Sequence, residues 1–155
     1  MFLIKGDLIR LAQNGEFDII VHGCNCFCRM GAGLAKQIRT AYPEAYHADC
    51  KTIPGDKTKL GTYTIATTKD NFTIVNAYTQ YRFSRVGEDL FDYDAFDKVL
   101  KQLSEQFPTS RFGFPLIGVG LAGGDLVKIV TAIDQFSQVL ERTGGTTTLV
   151  DYDAN

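Results

Sequence analysis

The sequence predicts a single α/β domain spanning residues 1–155, three layers deep, with helices on both faces of a central mixed sheet. Three observations carry this. Strand-like and helix-like segments alternate from end to end, as in parallel or mixed sheets. The run Phe17-Asp18-Ile19-Ile20-Val21-His22 is almost continuously apolar, as expected of a strand covered on both faces. Two glycine-rich loops are each fed by an apolar strand and each open a helix.

Phe2–Lys5 reads as a first short strand and Phe17–His22 as the second. Gly33 to Ala41 places Leu34, Ile38 and Ala41 at helical spacing, and Pro43 starts another helical piece through about Lys51. Tyr63–Thr67 and Phe72–Ala77 flank Lys69-Asp70-Asn71 and predict a hairpin. Arg82 to Leu90 reads as a loop. Tyr93, Phe96, Val99, Leu100, Leu103 and Phe107 line one face of a helix that Pro108 ends. Phe112–Ile117 is a further buried strand. Leu126, Ile129, Val130, Ile133, Phe136 and Leu140 form a last amphipathic helix, closed by Gly144-Gly145, and Thr146–Val150 is the final strand.

The bulk numbers exclude several classes. With 45% hydrophobic and 22% charged residues the chain has the composition of a globular domain. A net charge of −2 argues against a binder of long nucleic acid but not against a small anion held by backbone amides. No apolar run reaches membrane-spanning length, and the start lacks the pattern of a signal peptide, so the cytoplasm is the expected location and no membrane partner is expected. Cys24, Cys26 and Cys28 alternate as C-x-C-x-C, with Cys50 apart and only His22 and His47 to accompany them; this is not zinc spacing, and neither metal nor cofactor is expected.

The two loops carry the functional signal. The first runs His22-Gly23-Cys24-Asn25 to Met30-Gly31-Ala32-Gly33, the second Pro115-Leu116-Ile117-Gly118-Val119-Gly120-Leu121-Ala122-Gly123-Gly124-Asp125. A glycine-rich strand-to-helix turn points bare N–H groups at the positive end of a helix, which suits phosphate. Two such loops predict a ligand with more than one phosphate. Gly118, Gly120 and Gly123 match the dinucleotide fingerprint, but after a late strand rather than the first, which argues against a nicotinamide dehydrogenase. No G-x4-G-K-[ST] occurs, so triphosphate hydrolysis by that route is not expected.

Three pieces in order, Lys5-Gly6-Asp7-Leu8, the Cys24-Asn25 to Gly33 loop and Pro115 to Asp125, resemble the macrodomain family of ADP-ribose-binding α/β/α modules over essentially the whole chain. The branch it resembles includes ADP-ribose 1''-phosphate phosphatases, the terminal ADP-ribose glycohydrolase and antitoxin macrodomains acting on DNA. The resemblance implies that Asp7 accepts a hydrogen bond from the adenine amine and that the Leu8 backbone meets the ring. It implies that Asn25 holds the distal ribose, and that Met30, Gly31, Ala32 and Gly33 approach one phosphate. Gly118, Val119, Gly120, Leu121, Ala122 and Gly123 would wrap the other, and Tyr152 would stack on adenine. The alternatives are a capping role for Asp7 and an exposed terminal tyrosine for Tyr152.

In chemistry the chain departs from that branch. Its glycohydrolases use a lysine soon after the fourth strand, where this chain has Gln80. A neutral amide is no amine nucleophile. The acid of the second loop is kept as Asp125. The implied activity is therefore hydrolysis of ADP-ribose 1''-phosphate, with Asn25, Asp125 and His22 as catalytic residues and Asp125 or His22 activating water. A core role for His22 and a helix-terminal role for Asp125 stand beside this. The alternatives are removal of ADP-ribose from protein or nucleic acid, or a non-catalytic ADP-ribose reader.

Overall fold

The computed structural model describes residues 1–83, 90–117 and 124–153. Among these residues six strands form one sheet: β1 (Phe2–Gly6), β2 (Ile19–Cys24), β3 (Tyr63–Thr67), β4 (Thr73–Tyr78), β5 (Arg111–Pro115) and β6 (Thr146–Tyr152). Their spatial order is β1-β6-β5-β2-β4-β3, all pairs parallel except the β3–β4 hairpin. Asn71 turns that hairpin at φ 64°, a left-handed conformation that asparagine tolerates.

Among the described residues, five α-helices cover the sheet: α1 (Leu8–Gln13), α2 (Gly33–Ala41), α3 (Pro43–Cys50), α4 (Tyr93–Gln106) and α5 (Leu126–Glu141). Strand alternation sorts them. Ile19, Val21, Val75 and Leu149 point to a core shared with α4 and α5, while Ile20, Ile74 and Val150 point to one shared with α1, α2 and α3. Each fully buried aliphatic side chain in these cores contributes about 1.5–3 kcal/mol. The apolar face expected from Tyr93 to Phe107 packs as expected, with Phe96, Val99, Leu100 and Leu103 buried. No helix among the described residues is long and apolar enough to cross a membrane.

Two details differ from expectation. The six-residue α1, capped by Asp7, has no strong periodicity and reads in the sequence only as the segment after β1. Tyr152 is the last residue of β6 rather than lying beyond it, because β6 runs two residues further to pair with Lys5 and Gly6.

This topology positions the site. From β2 the chain moves outward through α2 and α3 to β3 and β4; from β5 it moves the other way through α5 to β6. The strand order therefore diverges between neighbours β2 and β5, and ligands in open α/β sheets bind beyond the carboxyl ends of such strands.

Candidate functional site

A cavity of about 460 Å³ opens at the carboxyl ends of β2 and β5. Gly23 to Asn25 form its floor, Gly31 to Ala35 one wall and Pro115 to Ile117 another, with Arg29, Gln80 and Phe83 among its lining. Among the described residues no aspartate or glutamate lines it, and Arg29 and His22 are its ionisable side chains apart from Cys24.

The wall at α2 is made of backbone. The cap residue Ala32 gives no side-chain hydrogen bond, whereas Asp7, Asp92 and Asp125 each cap a helix by accepting amide hydrogens. The first N–H groups of a helix have no intrahelical partner. Gly33 enters α2 at φ 57°, which glycine adopts without the steric penalty of a Cβ. Three of the expected phosphate residues, Gly31, Ala32 and Gly33, thus line the cavity at a bare helix start. The side chain of the fourth, Met30, is buried in the α1–α3 core, so only its backbone is left for a ligand.

Asn25 shapes the first loop. Its Nδ2 donates to the Arg29 carbonyl at 2.8 Å, and its Oδ1 accepts from the Phe27 amide at 2.9 Å. Each atom keeps capacity for one further bond at the cavity surface. The loop is tied down from below. Buried Lys59 donates from Nζ to the Cys26 carbonyl at 3.1 Å, and the Gly55 amide donates to the same carbonyl at 2.7 Å. The adjacent Cys28 is held at φ 58°, a strained conformation for a residue with a side chain. Asp49 lies in the same buried layer, accepting from the Tyr78 hydroxyl at 2.8 Å. Burial raises its carboxyl pKa, against the lowering effects of that bond and of Lys59. The sequence hid this layer, because Lys57-Thr58-Lys59 reads as a solvated turn.

The cysteines are free thiols. Burial raises the pKa of Cys24 and pushes that of Cys26 up to about 11, so both stay protonated and poorly nucleophilic at neutral pH.

His22 fits the core alternative rather than the expected base. It is 2% exposed, and its Nε2 lies 2.6 Å from Asn76 Oδ1. Asn76 Nδ2 donates to the Ala45 carbonyl and to Thr64, so its Oδ1 accepts and His22 Nε2 carries the proton. Burial pushes the imidazole pKa down to about 4, opposed by the Asn76 bond. A ring so hard to protonate is a weak base for activating water.

Asp125 stands at the start of α5, outside the described cavity wall. Its Oδ1 accepts from the Val127 and Lys128 amides at 2.9 and 3.2 Å, and its own amide donates to the Tyr93 hydroxyl at 2.8 Å. The intervening Gly118, Val119, Gly120, Leu121, Ala122 and Gly123 lie outside the described residues. Asp7 lies beyond the carboxyl end of β1 and caps α1 through Oδ1 to the Arg10 amide at 3.1 Å. It lines a second depression of about 420 Å³ with Arg10, Gln13 and Lys36, none of which lines the first. The side chain of Leu8 is buried, while Tyr152 is exposed and paired with Gly6, one residue from Asp7.

Neutral burial of His22 has a measurable consequence. Between its unfolded pKa near 6.5 and its folded pKa near 4 the unfolded chain binds the extra proton, so stability falls as pH drops through that window. The loss is on the order of 3 kcal/mol. Chemical denaturation of the wild type and His22→Gln at a series of pH values will show that the variant lacks this component; parallel curves would exclude the assignment.

The comparisons agree with this architecture. The sequence pattern of the Macro domain matches residues 21–133. An uncharacterized 17.5 kDa protein from the tk-vs intergenic region of Enterobacteria phage T4 is 34% identical over 146 residues, covering 89% of this chain and 90% of that one. A protein of Bacteroides thetaiotaomicron superposes with a TM-score of 0.79 at 21% identity, over 97% of this chain and 99% of the other. Thermosipho africanus DarTG, solved in complex with ADP-ribose, superposes with a TM-score of 0.74 at 16% identity, over 99% of this chain and 42% of the other. The chain belongs to the Macro domain family.

Proposed function

We propose that this macrodomain binds ADP-ribose across the start of α2 and hydrolyses the phosphomonoester of ADP-ribose 1''-phosphate. The observation that carries the reading is the uncapped α2 N-terminus facing a cavity that no carboxylate lines among the described residues. A diphosphate seated there completes the helix with charge-assisted N–H···O bonds, each worth about 1.5–3 kcal/mol. The two depressions, both of which α2 helps to line, then receive the two ends. Adenosine lies toward Asp7 and Tyr152, with the free Oδ2 of Asp7 accepting from the adenine amine, and the distal ribose lies toward Asn25. The complex of Thermosipho africanus DarTG with ADP-ribose supports this ligand class.

In the reaction, water attacks phosphorus, the bond from phosphorus to the anomeric oxygen breaks, and ADP-ribose and orthophosphate leave. Asn25 orients the distal ribose. Asp125, whose capping bonds both fall on Oδ1, takes the water proton on Oδ2, and solvent water protonates the departing anomeric oxygen. Gln80 lines the cavity and donates to the Arg82 carbonyl at 2.8 Å; as a neutral amide it argues against lysine-dependent removal of ADP-ribose from protein or nucleic acid. A non-catalytic reader is the second reading, favoured by the position of Asp125 outside the described wall.

Two measurements test these assignments. Incubation with ADP-ribose 1''-phosphate will release orthophosphate, and Asp125→Asn, which keeps the helix cap, will lower kcat by about 100-fold or more while ADP-ribose binding holds. Binding without phosphate release by the wild type would leave the reader. Asp7→Asn, which also keeps its cap, will weaken ADP-ribose binding by about tenfold and ribose 5-phosphate binding by less than about twofold in calorimetry. Equal losses would remove Asp7 from the adenine site.

A further inference from the structure

One charged side chain at the cavity has no role in the reading above. Arg29 lines the cavity together with Gln80 and Phe83. Its guanidinium carbon lies 4.7 Å from the centroid of the Phe83 ring. Phe83 is 49% exposed and meets Phe27 edge-on at 5.7 Å, and Phe27 meets Tyr81 edge-on at 4.9 Å. The Tyr81 hydroxyl donates to the Gly55 carbonyl at 2.8 Å. Three rings thus brace the guanidinium against the fold, and the Asn25 bond to the Arg29 carbonyl fixes the backbone from which the side chain springs.

Among the described residues no carboxylate lies within ion-pair distance of Arg29. Stacking occupies one flat face of the guanidinium and leaves its in-plane N–H donors unspent. That fork matches two oxygens of a phosphate. The bare start of α2 serves one anionic group of the ligand. Arg29 lines the same cavity as Asn25, toward which the distal ribose lies in the proposed function, and Asn25 Nδ2 bonds the Arg29 carbonyl.

We infer that Arg29, stacked on Phe83, is a specificity residue that selects a ligand bearing a phosphate on its distal sugar over the same molecule ending in a hydroxyl. The inference rests on the ADP-ribose reading and adds the substituent at the far end. Arg29 binds and orients that phosphate; it moves no proton, since its guanidinium stays charged throughout. The neutral Gln80 in the same cavity is consistent with the same demand, because an amide carries no charge to repel or neutralise an anion.

The test measures displacement of a fluorescent ADP-ribose analogue from the full-length protein by ADP-ribose and by ADP-ribose 1''-phosphate, on ice and before turnover. The wild type will prefer the phosphate ester by at least about tenfold, the effect of one charge-assisted hydrogen bond, and the preference will shrink as salt is raised. Arg29→Gln will reduce it to within about twofold with little change for ADP-ribose, whose retained binding shows that the variant is folded. Arg29→Lys and Phe83→Leu will each keep part of it. If Arg29→Gln keeps the full preference, or weakens both ligands equally, the inference is overturned. A wild type that binds ADP-ribose without preferring the ester overturns this inference alone; one that binds neither overturns the proposed function with it.

Discussion

The start of α2 is the constraint around which the rest of the molecule is arranged. A helix leaves its first amide hydrogens without internal partners. In α1, α4 and α5 an aspartate fills that need, and in α3 a proline at the first position removes one of the donors. Only α2, of the five, begins with small, uncharged residues that offer neither remedy. A side-chain cap at Ala32 would stabilise the free protein by about 1 kcal/mol. It would also occupy the donors a phosphate needs and place a carboxylate or hydroxyl where an anion must sit. The uncapped helix is thus a local sacrifice in stability that makes sense if a ligand completes it.

A bare helix end is useful only if the loop before it holds its shape. The segment from Asn25 to Arg29 is strained at Cys28, and strain persists only where the surroundings over-determine it. Those surroundings are polar. Asn25 bridges the loop from within, and Lys59 and the Gly55 amide hold the Cys26 carbonyl from below. Behind them, His22 and Asn76 sit opposite each other in the β2–β4 register, and Asn76 reaches across to α3 and β3. Burying such groups is unfavourable unless they are hydrogen-bonded. The return is a floor whose geometry is fixed before any ligand arrives, and preorganisation of this kind reduces the ordering cost of binding.

The elements legible in the sequence are those with strong period or punctuation. The amphipathic faces of α4 and α5, the hairpin and the apolar β2 all follow from patterns of side chains that need only their near neighbours to be understood. The helix α1 does not, since six residues give too little periodicity and its identity depends on Leu8, Ile9 and Ala12 finding the core. At the cavity, the turn into α2 is legible because its left-handed Gly33 is a residue type that such a turn demands. The pairing of Lys59 with the Cys26 carbonyl, of Asp49 with Tyr78 and of Arg29 with Phe83 was not readable. Each joins residues 29 to 54 positions apart in the chain, and no local pattern distinguishes them from solvated charges. His22 illustrates the same limit from the other side: its residue type suits a base, and only the Asn76 contact and its burial reveal a neutral strand histidine.

In the proposed function, the neutral Gln80 bears on which bond such a cavity can break. Cleaving a glycosidic bond at the anomeric carbon develops positive charge on the sugar, which a nearby carboxylate or an amine nucleophile would serve. The described wall supplies neither; it offers amide hydrogens, a guanidinium and neutral side chains. Transfer of a phosphoryl group makes the opposite demand, because charge accumulates on oxygens, and donors fixed in advance stabilise it without reorganising. A described lining that holds a guanidinium and no carboxylate is the feature that favours the phosphate-ester reading of the proposed function over an N- or O-glycoside. Asp125, the acid that the proposed function uses, is tethered by the start of α5, where both capping bonds fall on Oδ1.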